Sequence, residues 1–487
     1  MRKRKIFTAM LLAVVLAEAV TTPAAAAVPY QSFNYNYWGD IVSSPAPYEP
    51  LESVDGSVGG KDGFTLPGDM AVAENGDIYV ADTGNNRIVV LDSQFHRKQV
   101  VSGFDNRGKK ESFRKPGGIV VSADGNIHIA DTDNHRIVSL KPDGTLLRRF
   151  GVPKNNLTGG NFIFEPEKIG IDGAGRYYVV AKNVFQGLMN FDRDGNFFGF
   201  FGTIKVQSSL ADKFWKLVAT QAQKAQMQLF IPTEFSNLNI DADGFVYATD
   251  LDYSSKQTIR RINPRGIDVL VNYNTTKPIC GDLSYRSSGP YSGPTKFVDI
   301  KVRDKGIYSA LDATRGRVYT YDSEGNLLYV FGGMGNELGT FKMPAAIETW
   351  KDKIYVLDQN RGRITVFGPT HYGSLINTAV GLRYDGEESK AVTDWQDVLK
   401  LDSHYELAYD GIGKSLLAAN KNKEAMVYLK KGMDKRYYSV AFRRYRTEWL
   451  KENSWLGAAV VLVILAAVSA KKIYRKTKKG RKNRGKA

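Results

Sequence analysis

Short runs of alternating apolar and polar residues, each closed by a turn bearing Gly, Asn or Asp, fill the chain from about residue 60 to residue 368. Alternation with period two marks half-buried strands, and the turn residues mark where each strand stops. The second copy of the pattern shows it clearly. Gly118-Ile-Val-Val-Ser122 is followed by the turn Ala123-Asp-Gly-Asn126 and by Ile127-His-Ile-Ala130. Then come Asp131, Arg136 and the strand Ile137-Val-Ser-Leu140, the Pro142-Asp-Gly144 turn, and a last strand Leu146-Leu-Arg-Arg-Phe150. Copies open at Pro67, Pro116, Pro166, Pro232, Pro294 and Pro344, with spacings of 49, 50, 66, 62 and 50 residues. A repeat of this length with four short strands predicts one propeller blade, and six copies predict an all-β six-bladed ring. The sixth copy supplies only three strands before Gly368-Pro369. An open last blade exposes an unpaired edge, so part of the segment Tyr35 to Val54, rich in Tyr, Trp and Val, is expected to complete it.

The wording of the copies closely resembles the NHL repeat. Pro67-Gly-Asp through Asp82 and Arg87, and Pro116 through Asp131 and Arg136, carry the resemblance most strongly; Asp312 with Arg317 and Asp358 with Arg363 carry it in copies five and six. Blade four keeps Asp250, whereas blade three has Ala181-Lys-Asn-Val-Phe-Gln186 in place of the Asp and Arg. The resemblance implies a ring over residues 60–368, preceded by an N-terminal segment at 28–59.

After Pro369 the apolar period changes from two to that of a helix. Tyr409, Ile412, Gly413 and Leu416, then Ala425, Leu429 and Gly432, fall in the pattern of a tetratricopeptide (TPR) repeat. Thirty-four residues earlier stand Ala391, Trp395 and Val398, which places two repeats at about 372–405 and 406–439 within a helical neck of residues 369–453. The resemblance implies helix–turn–helix hairpins. Such a neck serves either as a rigid spacer or as a docking groove for a membrane partner.

Charge changes the picture only through its location. The chain of 487 residues carries +16, a balance that invites a nucleic-acid reading. Yet ten cationic residues and no acid follow Ala470, and Arg2, Lys3, Arg4 and Lys5 stand before the apolar run Ile6–Ala17. Removing the tail and the net three charges of the leader leaves about +3 over residues 28–470. No basic footprint for nucleic acid remains. Residues 1–27 have the shape of a signal peptide. Residues 454–470 carry no charge and predict one transmembrane helix, with 471–487 as a cytoplasmic tail by the positive-inside rule. The expected location is a cell membrane, crossed once, with the ring outside and the C-terminus inside. Cys280 stands alone, so no intramolecular disulfide supports the fold.

The candidate chemistry is sparse. Propellers host lactonases, hydrolases related to strictosidine synthase, and an amidating lyase with blades like these. Such enzymes hold a metal at the channel with His or carboxylates, and a surface hydrolase or lyase is the alternative function. Here His371 and His404 fall outside the ring, His96 in a turn, and His128 and His135 in one blade, so no three histidines come from different inner strands. Asp82, Asp131, Asp250, Asp312 and Asp358 recur at one place in the blade, which reads as a turn-binding feature. No catalytic residue, metal or cofactor is assigned. Departures from the repeat say more: insertions at Thr203–Ile231 and about Asn272–Gly293 join last to first strands of neighbouring blades and decorate one face. The first carries a helix by propensity, over Ala211–Met227. The candidate ligand contacts are Lys182, Asn183 and Phe185 in the blade-three hairpin, Trp215 on the first insertion, Asp252 and Tyr253 in blade four, and Tyr285 and Arg286 on the second insertion. Trp215 reads equally as the core of packed insertions. The expected function is that of a membrane-anchored binding or scaffold protein for an extracellular protein or glycan.

Overall fold

Five of the six blades begin with a strand that bulges after its first residue. In blades two to six the ladder slips once, between Pro116 and Gly118, Pro166 and Lys168, Phe235 and Asn237, Phe297 and Asp299, and Pro344 and Ala346. A bulge adds local twist, and repeating it at one position sets successive blades around a common axis. The computed structural model describes residues 28–61, 63–153, 162–202, 234–250, 257–272 and 278–484. The expected signal peptide lies outside these residues. The chain divides into two units: one comprises the residues up to Phe33 and Ala46–His371, the other Asn34–Pro45 and Tyr372 onward.

The first unit is a six-bladed propeller. Blade one is Asp69–Val72, Ile78–Asp82, Arg87–Leu91 and Arg97–Val101, and blade two Pro116–Val121, Ile127–Asp131, Arg136–Leu140 and Leu146–Phe150. Blade three is Pro166–Ile171, Tyr177–Ala181, Leu188–Phe191 and Phe197–Phe201. Blade four has three described strands, Phe235–Ile240, Val246–Asp250 and Ile259–Ile262. Blade five comprises Phe297–Val302, Tyr308–Asp312, Arg317–Tyr321 and Leu327–Phe331; blade six comprises Pro344–Trp350, Lys353–Asp358 and Arg363–Pro369. The fourth strand of blade six is Tyr48–Asp55, paired antiparallel from Asp55 opposite Arg363 to Tyr48 opposite Pro369. Only the end of the Tyr35–Val54 segment closes the ring in this way. Further upstream, Phe33 pairs with Val330 on the outer strand of blade five.

The cores lie between blades. Ile88, Val90, Ile119, Ile129 and Val138 join blade one to blade two, and Val80, Val89, Leu357 and Ile364 join blade one to blade six. Turns after the third strand share one device in four blades. Asp92, Asp192, Asn263 and Asp322 each accept from the backbone N–H groups two and four residues on. The turn needs a positive φ at its fourth position. Gly195, Gly266 and Gly325 supply it at 78–83°, and in blade one Phe95 adopts 64° instead.

The second unit is helical: α1 His371–Tyr384, α2 Glu388–Leu401, α3 Glu406–Ala418, α4 Asn422–Lys431, α5 Lys435–Glu452 and α6 Ser454–Arg484. Small residues let the helices approach. A Cβ on Gly411 would stand 2.4 Å from Trp395 Nε1, and one on Gly413 would stand 2.6 Å from Leu429 Cγ. Ala391, Trp395 and Val398 of α2 and Ala425 and Leu429 of α4 are all buried. The Asn34–Pro45 segment joins this unit, its Tyr37 N–H donating to Glu406 at 2.9 Å and its ring under Lys435 at 5.0 Å. Helix α6 has 31 residues, about 46 Å at 1.5 Å per residue. Its Ser454–Thr477 stretch is long and apolar enough to cross a membrane, and none of its described side chains is buried.

Candidate ligand-binding face

The recurrent carboxylates are consumed within their own blades. Asp82 accepts from Thr65 N–H at 2.7 Å and from Arg87 Nε at 2.7 Å; Asp131 accepts from Arg114 N–H at 2.7 Å and Arg136 Nε at 2.8 Å. Each therefore ties the second strand to the chain entering the first strand and to the blade's own arginine. Asp250 meets Arg260 at 3.2 Å. In blades five and six the arginine partner differs from that in blades one and two. Arg317 lies opposite Asp312 in the ladder, yet its guanidinium reaches Asp282 at 3.0 Å, and Arg363 reaches Asp55 at 3.5 Å. Arg315 and Arg361, two residues earlier, face Asp312 and Asp358 at 3.9 and 3.8 Å. Burial pushes the Asp312 carboxyl up to about 6.

A second polar set, unmarked by any motif, occupies the innermost strands. Of six equivalent ladder positions, four are polar, Asp69, Lys168, Asn237 and Asp299, and two are small, Gly118 and Ala346. Lys168 of blade three reaches Asp69 Oδ1 of blade one at 2.9 Å and the Gly68 carbonyl at 2.9 Å, while Ile119 N–H of blade two donates to Asp69 at 3.0 Å. Asp299 accepts from Asn237 of blade four at 2.7 Å and from Ile347 N–H of blade six at 2.6 Å. Burial, then the Asp69 charge, pushes the Asp299 carboxyl well above the usual range. Two residues on, Lys301 and Glu348 pair at 2.6 Å, and burial raises the Glu348 carboxyl as well. These side chains pin blades to one another across the axis. Charged residues at one position of the first, third and fifth copies were a usable signal for them.

The five described candidates fall in two groups. Lys182 is exposed and 3.5 Å from Glu167, and Asn183, at φ 58°, takes Glu234 Oε1 on its N–H at 2.8 Å. Phe185 is half-buried beside them. Tyr285 is 53% exposed and Arg286 also faces solvent, in the connection from blade four to blade five. No hydrogen bond or ion pair among the described residues joins the two groups. Trp215, Asp252 and Tyr253 lie outside the described residues. What holds Tyr285 and Arg286 was missed in the sequence. Asp282, buried, accepts from Arg315 at 2.9 Å, Arg317 at 3.0 Å and the Tyr319 hydroxyl at 2.6 Å. That cluster fastens the connection to blade five. Next to it, burial and then the Asp282 charge push the Cys280 thiol up to about 11, so it stays a thiol.

The ring histidines each have a local role. His96 sits in a turn against Asp92 at 3.1 Å, and His135 Nδ1 is 2.9 Å from the Phe164 carbonyl. His128 is buried between the Ser139 and Ser122 hydroxyls at 2.8 and 3.0 Å, with its edge toward Tyr177. Among the described residues no three His, Cys, Asp or Glu side chains are grouped to hold a metal ion. Burial pushes the His128 imidazole from 6.5 down to about 4. A depressed histidine favours the neutral folded form, so its stabilisation is complete above pH 6.5 and is lost as pH falls toward 4. The loss expected is roughly 3 kcal/mol. Raised acids such as Asp312 act in the opposite sense, so the readout is the difference between wild type and His128→Gln in urea unfolding at pH 7 and pH 4.5. Equal pH dependence in the two proteins contradicts the assignment.

With this geometry established, comparison with known proteins gives a consistent class. The NHL repeat family matches residues 64–91 and 113–138, so the ring is a six-bladed β-propeller with NHL repeats, followed by a helical segment with one apolar helix. No curated protein matches the chain. Among solved structures, virginiamycin B lyase from Staphylococcus aureus aligns at 10% identity and TM-score 0.41, over 66% of this chain and 99% of that one. A streptogramin B lyase aligns at 12% and 0.39, over 67% and 100%. A protein of unknown function from Bacteroides thetaiotaomicron aligns at 12% and 0.41, over 70% and 76%. At these values the neighbours lend the chain no activity.

Proposed function

We propose that this protein is a membrane-anchored, extracytoplasmic binding protein. Its ring engages a protein or carbohydrate ligand on the face bearing the connections between blades, and its helical neck is TPR-like and meets a membrane partner. The observation that carries the reading is the anchored connection after Pro278. Asp282 holds it to blade five, while Tyr285, Arg286 and Tyr291 are left in solvent, the two tyrosines at 53% and 55% exposure. Rigidly based aromatics beside a guanidinium suit stacking on a sugar ring or a peptide. The repeats and the channel, by contrast, direct their charges at one another. The TPR-like reading is supported by the burial of Ala391 and Ala425, and of Trp395 and Leu429, at the same 34-residue offset on α2 and α4.

Binding to a glycan array and to extracellular proteins is the test, with Tyr285→Ala and Arg286→Ala in the full chain. The exposed Lys109→Ala and Lys110→Ala on the hairpin between blades one and two serve as controls. Each insertion variant is expected to weaken binding by tenfold or more, about 1.4 kcal/mol, and the lysine variants to leave it unchanged. The opposite pattern places the ligand elsewhere on the ring.

A further inference from the structure

The outer strand of a propeller blade leaves one row of backbone N–H and C=O groups unpaired, and proteins protect such edges with charge, proline or cover. Three outer strands here carry such residues. Arg97 and Lys98 stand in blade one, Arg148 and Arg149 in blade two, and Glu49, Pro50 and Glu52 in blade six. Two outer strands carry none: Leu327-Leu-Tyr-Val-Phe331 in blade five and Phe197-Phe-Gly-Phe-Phe201 in blade three.

These two strands are built alike. Each slips its ladder once, leaving Leu328 and Phe198 respectively as the extra residue, so Phe200 occupies the place of Val330. In blade five the edge is covered by the chain itself: Phe33 pairs antiparallel at Val330, and Leu328 is 0% exposed. In blade three, among the described residues, Phe197–Phe201 pairs only with Leu188–Phe191, and Phe198 is 82% exposed.

We propose that Phe197–Phe201 is a dimerisation edge, pairing antiparallel with the same strand of a second copy about a two-fold axis at Phe200. The position is the one at which the blade-five edge receives its added strand. A two-fold axis there sets Phe200 against Phe200 and Gly199 against Phe201 of the second copy. A Cβ at Gly199 would meet nothing within 4 Å, which leaves room for the facing ring, and aromatic–glycine pairing across an edge is favourable. The strand carries no charge with which to select an oppositely charged partner, and in self-pairing none is opposed by its like. The interface is isologous and closed, so it yields a dimer and not a fibre.

The test is the mass of the full chain in detergent by light scattering, after subtraction of bound detergent. Wild type and Leu147→Lys, on the outer strand of blade two, are expected at twice the 54.1 kDa chain mass, and Phe200→Lys at the single mass. Because Phe200 also packs on Phe197 at 5.3 Å, a second variant is read independently. Phe200→Cys in a Cys280→Ser chain is expected to form a disulfide-linked dimer under mild oxidation, since facing Cβ atoms in a strand pair lie about 5 Å apart. A wild-type chain at the single mass overturns the proposal. So does a dimer that Phe200→Cys fails to cross-link.

Discussion

Tyr48→Ala is expected to destabilise the ring by about 4 kcal/mol, the range of a large buried side chain lost from a core. Tyr48 starts the strand that completes blade six, is 0% exposed, and stacks on Phe331 with ring centroids 5.0 Å apart. Its carbonyl takes the Tyr30 hydroxyl at 2.6 Å, and its own hydroxyl takes Arg303 at 2.7 Å. The alanine variant thus opens a cavity and removes one of two phenols facing Arg303, the other being Tyr329 at 3.1 Å. Tyr48→Phe keeps the ring stacking and loses the hydrogen bond from Arg303 together with the long one that the hydroxyl donates to the Asp352 carbonyl at 3.4 Å, so roughly 2 kcal/mol is expected. Urea unfolding of the full chain, followed by tryptophan fluorescence, orders the two variants. A change below about 1 kcal/mol for Tyr48→Ala means that the strand is a leader lying against a ring closed by other means.

Asp282→Ala should cost a similar amount, roughly 3–5 kcal/mol, because it removes the acceptor shared by two largely buried guanidinium groups and a buried phenol. Arg315, Arg317 and Tyr319 all converge on this one carboxylate. The loss has a second, local consequence. The connection bearing Tyr285 and Arg286 is released from blade five, so its backbone amides should exchange with deuterium faster while those of blades one and two do not. Asp282→Asn keeps a single acceptor oxygen and is expected to fall between wild type and alanine. Uniform exchange across the ring, or a full-strength ligand complex with Asp282→Ala, contradicts the role assigned to this cluster.

Local signals in the chain reported local structure well. Alternation and Gly or Asp turns marked the strands, and the Asp82–Arg87 and Asp131–Arg136 pairs are five residues apart, within reach across one hairpin. The Trp395 and Leu429 positions were visible because a helix repeats its buried face at fixed spacing. The misses have a common physical origin in sequence separation. Lys168 meets Asp69 from 99 positions away, Arg303 meets Tyr48 from 255, and Phe33 adds itself to a strand at Val330. No period connects such pairs, since each depends on the ring having closed. The exchange of Arg317 for Arg315 beside Asp312 is subtler. The ladder sets Arg317 opposite Asp312, but the nearby Asp282 carboxylate, brought in by the insertion, captures the guanidinium. Of the candidate site, the long connection from blade four to blade five was legible; the buried Asp282 carboxylate that fastens it was not.

The account depends above all on the ring being held outside the membrane by α6. The single measurement that tests this most directly is protease treatment of intact cells or spheroplasts making the full chain with a tag after Ala487. The ring is expected to be digested while the tag, behind the Ser454–Thr477 stretch and its cationic flank, is spared until the membrane is breached. A protected ring with an accessible tag contradicts the account.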